Sequence, residues 1–248
     1  MNLPDEVDGL TGIYPVSILE WEEFRELAQR FLLYSYDFLK YRMKIKTEMK
    51  MFDFIIAMIL QSETEDERVK HMEDFQKLIG ITTRCEAKLF FNPQSGEWVF
   101  KIGEHGELTK HNFDDYKAVV LRQNLLFEPL TAPNEIAQKV IDDAIARMSK
   151  KGSPVSLEAM IAVVSVTRCL TPDQFKHYSY YQLRADYEVA QRIETNRIIH
   201  LYRCQGGNGE PVELVSDLTI HQNPYGFEAL FNKVDTEKDK ALKKALSK

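Results

Sequence analysis

Residues 156–207 read SLEAMIAVVSVTRCLTPDQFKHYSYYQLRADYEVAQRIETNRIIHLYRCQGG, and this stretch decides the fold. Ser156 stands where an N-cap belongs. Leu157, Met160, Ile161, Val163, Val164 and Arg168 follow at helical spacing, which predicts a core helix with one wide apolar face. Thr171-Pro172-Asp173-Gln174 supplies a second cap, a proline at the first helical position and a glutamine able to close a capping box. Ser179 and Gln182 repeat that spacing. Behind them Leu183, Tyr187, Ala190, Glu194, Ile198 and Leu201 recur every three or four residues, until Gly206 and Gly207 stop the helix. Nothing in this helix, turn and long helix specifies a reaction.

Upstream, Asn134 caps a helix carrying Ile136, Val140, Ile141, Ala144, Ile145 and Met148, closed by Lys150-Lys151-Gly152. Pro129 and Pro133 bound a linker, and Asn112 with Asp115 opens a helix through about Gln123. Before that the period changes. Residues 84–91 and 97–102 flank an Asn-Pro-Gln-Ser-Gly loop and predict a β-hairpin, with a short third strand near Leu108. Ser17 and Glu20 suggest a capping box for a first helix through Leu32. One continuous helical run is expected from Tyr36 to Gln61, holding Met43, Met49, Met51 and Met58, and another from about Glu63 to a C-cap at Gly80. Pro4, Gly9, Gly12 and Pro15 make residues 1–16 an irregular arm. From Asp235 the tail is amphipathic, with Ala241, Leu242, Ala245 and Leu246 opposite the lysines. The expected fold is mainly α with a small β-hairpin insertion (α+β), a multi-helix bundle in four segments: 1–80, 81–111, 112–207 and 208–248.

With 44% hydrophobic and 28% charged residues in 248, the chain has the composition of a compact globular protein. Its net charge of -6 argues against nucleic acid, whose binders neutralise phosphates with Lys and Arg. The helix–turn–helix outline of 156–204 has no basic face and leaves DNA binding a minor alternative. Phe52–Leu60, the most apolar run, is about half the roughly 20 residues of a membrane helix. The acidic opening lacks the flanks of a secretory signal. Cys85, Cys169 and Cys204 suit buried thiols in a reducing cytoplasm.

The six histidines form no metal-ligand spacing, and no phosphate or dinucleotide glycine loop occurs, so neither metal nor cofactor is expected. Cys169 and His177 lack an orienting third group. The adjacent pairs Asp114–Asp115 and Asp142–Asp143 diverge by about 100° on a helix and read as dipole partners, not an acid–base couple. Glu194 interrupts an apolar stripe and needs a partner, for which Arg197 is placed. Tyr178, Tyr180, Tyr181 and Tyr187 divide between core and interface, since four such close aromatics cannot all face inward.

From Phe113 to Gly207 the order of these signals resembles a family of tail-region proteins from bacteriophages of Gram-positive hosts. The matching pieces are Asn112–Tyr116, Gln123–Asn124, Ser156–Ile161 and Ser179-Tyr180-Tyr181-Gln182, with Tyr14-Pro15-Val16 ahead of the first helix. Ser179 stands where the family pattern has Thr. The resemblance implies a non-enzymatic tail assembly protein in the host cytoplasm. It would bind or chaperone another tail or virion protein, the tape-measure protein among them, with homo-oligomers also open. A structural component of the baseplate, neck or capsid is the alternative. On this reading Tyr178, Tyr180, Tyr181, Gln182, Tyr187, Leu242 and Leu246 would touch the partner.

Overall fold

The computed structural model describes residues 4–44, 47–132, 134–149, 155–214, 218, 220 and 222–223. The chain divides into two compact units, Met1–Pro129 and Leu130–Lys248. The fold is α+β, and a five-stranded antiparallel sheet stands where the sequence predicted a hairpin inserted in a bundle.

In the first unit β1 (Asp5–Val7) and β2 (Leu10–Ile13) precede a 3₁₀ turn (Ile18–Glu20) and α1 (Trp21–Phe31). Then come α2 (Tyr36–Met43), α3 (Met51–Leu60), α4 (Glu65–Thr83), β3 (Ala87–Asn92), β4 (Glu97–Ile102), β5 (Gly106–Leu108) and α5 (Phe113–Gln123). The strand order is β1-β2-β5-β4-β3. Alternation sends Phe100 and Ile102 from β4 to the inner face, where Phe100 meets Phe75 of α4 with ring centroids 5.0 Å apart. Phe24, Phe31, Phe52 and Phe113 complete an aromatic core of fully buried rings.

The expected irregular arm is therefore a hairpin. Short polar side chains fasten it. Asn112 Nδ2 donates to Asp8 O and Glu107 O at 2.9 Å, Gln123 Nε2 donates to Ile13 O at 3.1 Å, and Val16 N–H donates to Asn124 Oδ1 at 2.9 Å. These buried bonds replace the water that the backbone of a three- or four-residue strand would otherwise keep.

The run from Tyr36 to Gln61 is two helices, not one. Lys44 adopts a left-handed φ of 54°, Lys50 is extended at the start of α3, and Tyr36 Oη donates to Thr47 O at 2.6 Å across the break. The methionines split accordingly: Met51 is buried and Met43 exposed. Nor does α4 end at Gly80. It runs to Thr83 and closes at Arg84, whose left-handed backbone (φ 60°) places its guanidinium 4.2 Å from the Tyr14 ring centre. Ser17 donates to Glu20 Oε2 at 2.7 Å, and the reciprocal backbone bonds of a capping box are absent there.

The second unit holds α6 (Glu135–Ser149), α7 (Leu157–Arg168), α8 (Pro172–Phe175) and α9 (Tyr180–Cys204). Asn134 Oδ1 accepts from Ala137 N–H at 2.9 Å as the cap of α6. Ile141 and Ala144 form a small core with Leu130, Ala132, Val140 and Ile145, while Ile136 is exposed. Lys150-Lys151-Gly152 and the amphipathic tail with Leu242 and Leu246 lie outside the described residues.

Candidate functional site

Serine caps set the geometry around α7 and α9. Ser156 Oγ accepts from Ala159 N–H at 3.2 Å, and Ser179 Oγ accepts from Gln182 N–H at 3.2 Å. Gln182 Oε1 accepts in return from Ser179 N–H at 3.0 Å, and Thr171 with Gln174 forms the same box for α8. The direction of α9 is thus fixed at its first turn.

A three-residue network locks the turn between α7 and α9. Asp186 takes Tyr178 Oη on Oδ2 at 2.9 Å and the Arg168 guanidinium on Oδ1. Partial burial, with help from the Asp186 carboxylate, raises the Tyr178 phenol above its ordinary pKa. Tyr178 and Gln182 are accordingly engaged in bonds that hold this turn. The side chains of Tyr180, Tyr181 and Tyr187 are half-buried, and Tyr187 Oη accepts from Gln191 Nε2 at 3.0 Å.

Only part of α7 is a core helix. Met160 and Val164 are buried, whereas Val163 is exposed and Val166 is 81% exposed, so the buried stripe is narrower than the sequence predicted. The long helix shows the same shortfall at its far end. Its 25 residues span about 37 Å, but the buried ones are Leu183, Glu188 and Ala190, all in the first half. The same stripe continues into Ile198, 59% exposed, and Leu201, 57% exposed, with Tyr202 beside them at 56%. Glu194, on that stripe, lies in the open, 3.8 Å from Arg197.

On its opposite side α9 carries a polar ladder at four-residue intervals, Glu188, Arg192 and Asn196. Asn196 accepts from Val212 N–H through Oδ1 and donates to Val212 O through Nδ2, both at 2.7 Å. Arg192 donates to Glu213 O at 2.7 Å, and Glu188 pairs with Arg192 at 2.8 Å while accepting from Ile220 N–H at 3.1 Å. Sequence reading passed over Glu188 in favour of Glu194. The Glu188–Arg192 spacing of four, the favourable order for a helical ion pair, is the signal that could have found it.

The thiols differ from expectation. Cys169 and Cys204 are exposed and Cys85 is half-buried, because Cys169 occupies the left-handed residue that ends α7 and Cys204 the bare last turn of α9. In the first unit a cleft of about 380 Å³ is lined by Tyr36, Glu48, Lys117 and Glu128; buried Lys117 pairs with Glu128 and donates to Tyr34 O at 3.0 Å. Among the described residues no three His, Cys, Asp or Glu side chains gather as a metal site, and no helix is long and apolar enough to cross a membrane. Comparison with protein-family models, curated proteins and solved structures finds no match.

Proposed function

We propose that the chain is a non-enzymatic assembly protein of a bacteriophage tail, which holds an amphipathic helical segment of another tail component against the distal half of α9. One observation carries this reading: the apolar stripe of α9 outruns its cover, leaving Ile198, Leu201 and Tyr202 in solvent. A helix laid there as a ridge in a groove would remove apolar area from water on both molecules, at about 25 cal/mol per Å². The half-buried rings of Tyr180, Tyr181 and Tyr187 offer further contact area with polar tips. The resemblance to tail-region proteins supplies the partner class, with the tape-measure protein first in line.

The test is co-expression with the tape-measure protein and titration of the purified pair. Ile198→Glu with Leu201→Glu should weaken the complex at least tenfold while leaving the melting temperature nearly unchanged, since both side chains are exposed. Unaltered affinity in that variant, or no complex with the tape-measure protein, defeats the proposal. A mass-spectrometric inventory of particles then separates an assembly factor, absent from them, from a virion component in fixed copy number.

A further inference from the structure

The two edges of the sheet differ. At one edge β1 has three residues and a register shift between Asp5 and Val7, the kind of irregularity that blocks strand addition. At the other edge β3 has six residues in unbroken register with β4, from Ala87↔Ile102 to Asn92↔Glu97, with neither proline nor bulge. Among the described residues no strand pairs with its outer side. Two large aromatics stand on this open edge, Phe90 at 48% exposure and Phe91 at 51%. Beside the start of the strand a cleft of about 600 Å³ opens, lined by Gln76, Arg84, Glu86 and Lys88 among others.

We propose that β3 pairs antiparallel with β3 of a second copy of this chain, joining two sheets across a two-fold axis centred on Leu89. An edge strand offers unpaired N–H and C=O groups that a strand satisfies better than a helix can. Symmetry then limits the register. A two-fold pairing sets one residue opposite itself, and the centres that keep five residues of β3 paired are Leu89 and Phe90, with Lys88 keeping three. Centring on Lys88 sets ammonium against ammonium, on a face where Lys88 already stands opposite Lys101. Centring on Phe90 carries the pairing into Pro93, which has no N–H to give. Centring on Leu89 avoids both.

In that register Ala87, the small residue of the inner face, lies opposite the partner's Phe91, so large packs on small. Lys88 lies opposite the partner's Phe90, where its alkyl stem covers the ring and its ammonium meets the π face. Glu86 falls opposite Asn92, and no like charges stand directly opposite each other. The pairing adds about four to six main-chain hydrogen bonds, depending on which residues point outward. This strand is distinct from the α9 surface, so the dimer and the client complex stand or fall separately.

Sedimentation of the full chain at about 100 μM tests the dimer, a concentration suited to a small interface. Cysteine cross-linking tests its register. In a background with Cys85, Cys169 and Cys204 changed to Ser, Leu89→Cys should oxidise to a covalent dimer. Directly opposed residues lie about 4.5–5.5 Å apart between Cα atoms, within disulfide reach. Glu86→Cys, more exposed than Leu89 but six residues out of register with itself, should not. Phe90→Lys, a surface change that faces the partner's Lys88, should weaken the dimer roughly tenfold. A chain that stays monomeric, or a dimer in which Leu89→Cys cross-links no faster than Glu86→Cys, overturns the proposal.

Discussion

Tyr116 and Thr82 share a hydrogen bond of 2.6 Å between side chains that are both fully buried in the first unit. The Thr82 hydroxyl also lies 3.0 Å from Leu78 O and 3.1 Å from Ile79 O, so its single proton goes to α4 and Tyr116 Oη is the donor to Thr82. The two changes that break this bond are unequal. Tyr116→Phe removes the donor and leaves Thr82 bonded to its own helix, at a cost of about 0.5–1.5 kcal/mol. Thr82→Val strands a buried phenol, at about 1–3 kcal/mol. Urea unfolding of both variants and of the double mutant should show Thr82→Val as the worse single change and a double mutant below the sum.

The same tyrosine predicts a pH dependence. Burial raises the Tyr116 phenol well above its ordinary value of 10, because the phenolate would lie in a site closed to water. Unfolded, the phenol ionises near pH 10; folded, it keeps its proton to higher pH. Above about pH 10 the folded state therefore binds more protons than the unfolded state, and stability falls as pH rises. The contribution is fully present below the unfolded pKa and is lost toward the folded one. Urea midpoints between about pH 9 and 11 should fall more steeply for the native chain than for Tyr116→Phe. Parallel curves would show that another group governs the alkaline limb.

Cap chemistry was the legible part of this fold. Ser156, Ser179 with Gln182, and Thr171 with Gln174 act through neighbours three residues away, so the sequence alone holds their whole environment. The N-terminal hairpin was not legible, because β1 and β2 have too few residues to show alternation and depend on Asn112, Gln123 and Asn124, more than 100 residues distant. How far α9 is buried was not legible for a related reason. Periodicity shows that Ile198 and Leu201 share a stripe with Leu183, but only packing reveals that the 12 residues of α7, about 18 Å long, cannot cover 25. Asn112, Gln123 and Asn124 are the residues that fasten the hairpin.

Gly106 is a second place where the sheet tolerates no change. Its φ is +114°, and a Cβ there would sit 2.1 Å from Gly9 O, the acceptor for Glu107 N–H. Alanine must push β2 away from β5. Gly96, at φ +69° in the β3–β4 turn, has open space around it and would meet only the backbone penalty of about 1–2 kcal/mol. Thermal melts should therefore rank Gly106→Ala below Gly96→Ala by several degrees, about 1 kcal/mol or more for a unit of this size. Equal melting temperatures would mean that the β2–β5 contact bears little of the stability.

The strap beyond α9 hangs on Asn196, which satisfies both the N–H and the C=O of Val212. Val212 and Leu214 are themselves partly exposed, so apolar burial at those two positions contributes little to holding it. Asn196→Ala removes two hydrogen bonds worth about 1 kcal/mol each, and amide exchange at Val212 should accelerate roughly tenfold or more. Amides near Leu183 should not change, because α7 and the Ser179 cap hold that end of α9. Asn196→Asp separates hydrogen bonding from shape. The carboxylate can still accept from Val212 N–H but repels Val212 O, so the segment should loosen at neutral pH and tighten again below about pH 4, where the acid protonates and regains a donor. Exchange at Val212 that is the same in the Asp variant at both pH values, once the intrinsic pH effect is divided out, would place the hold on Arg192 and Glu188 instead.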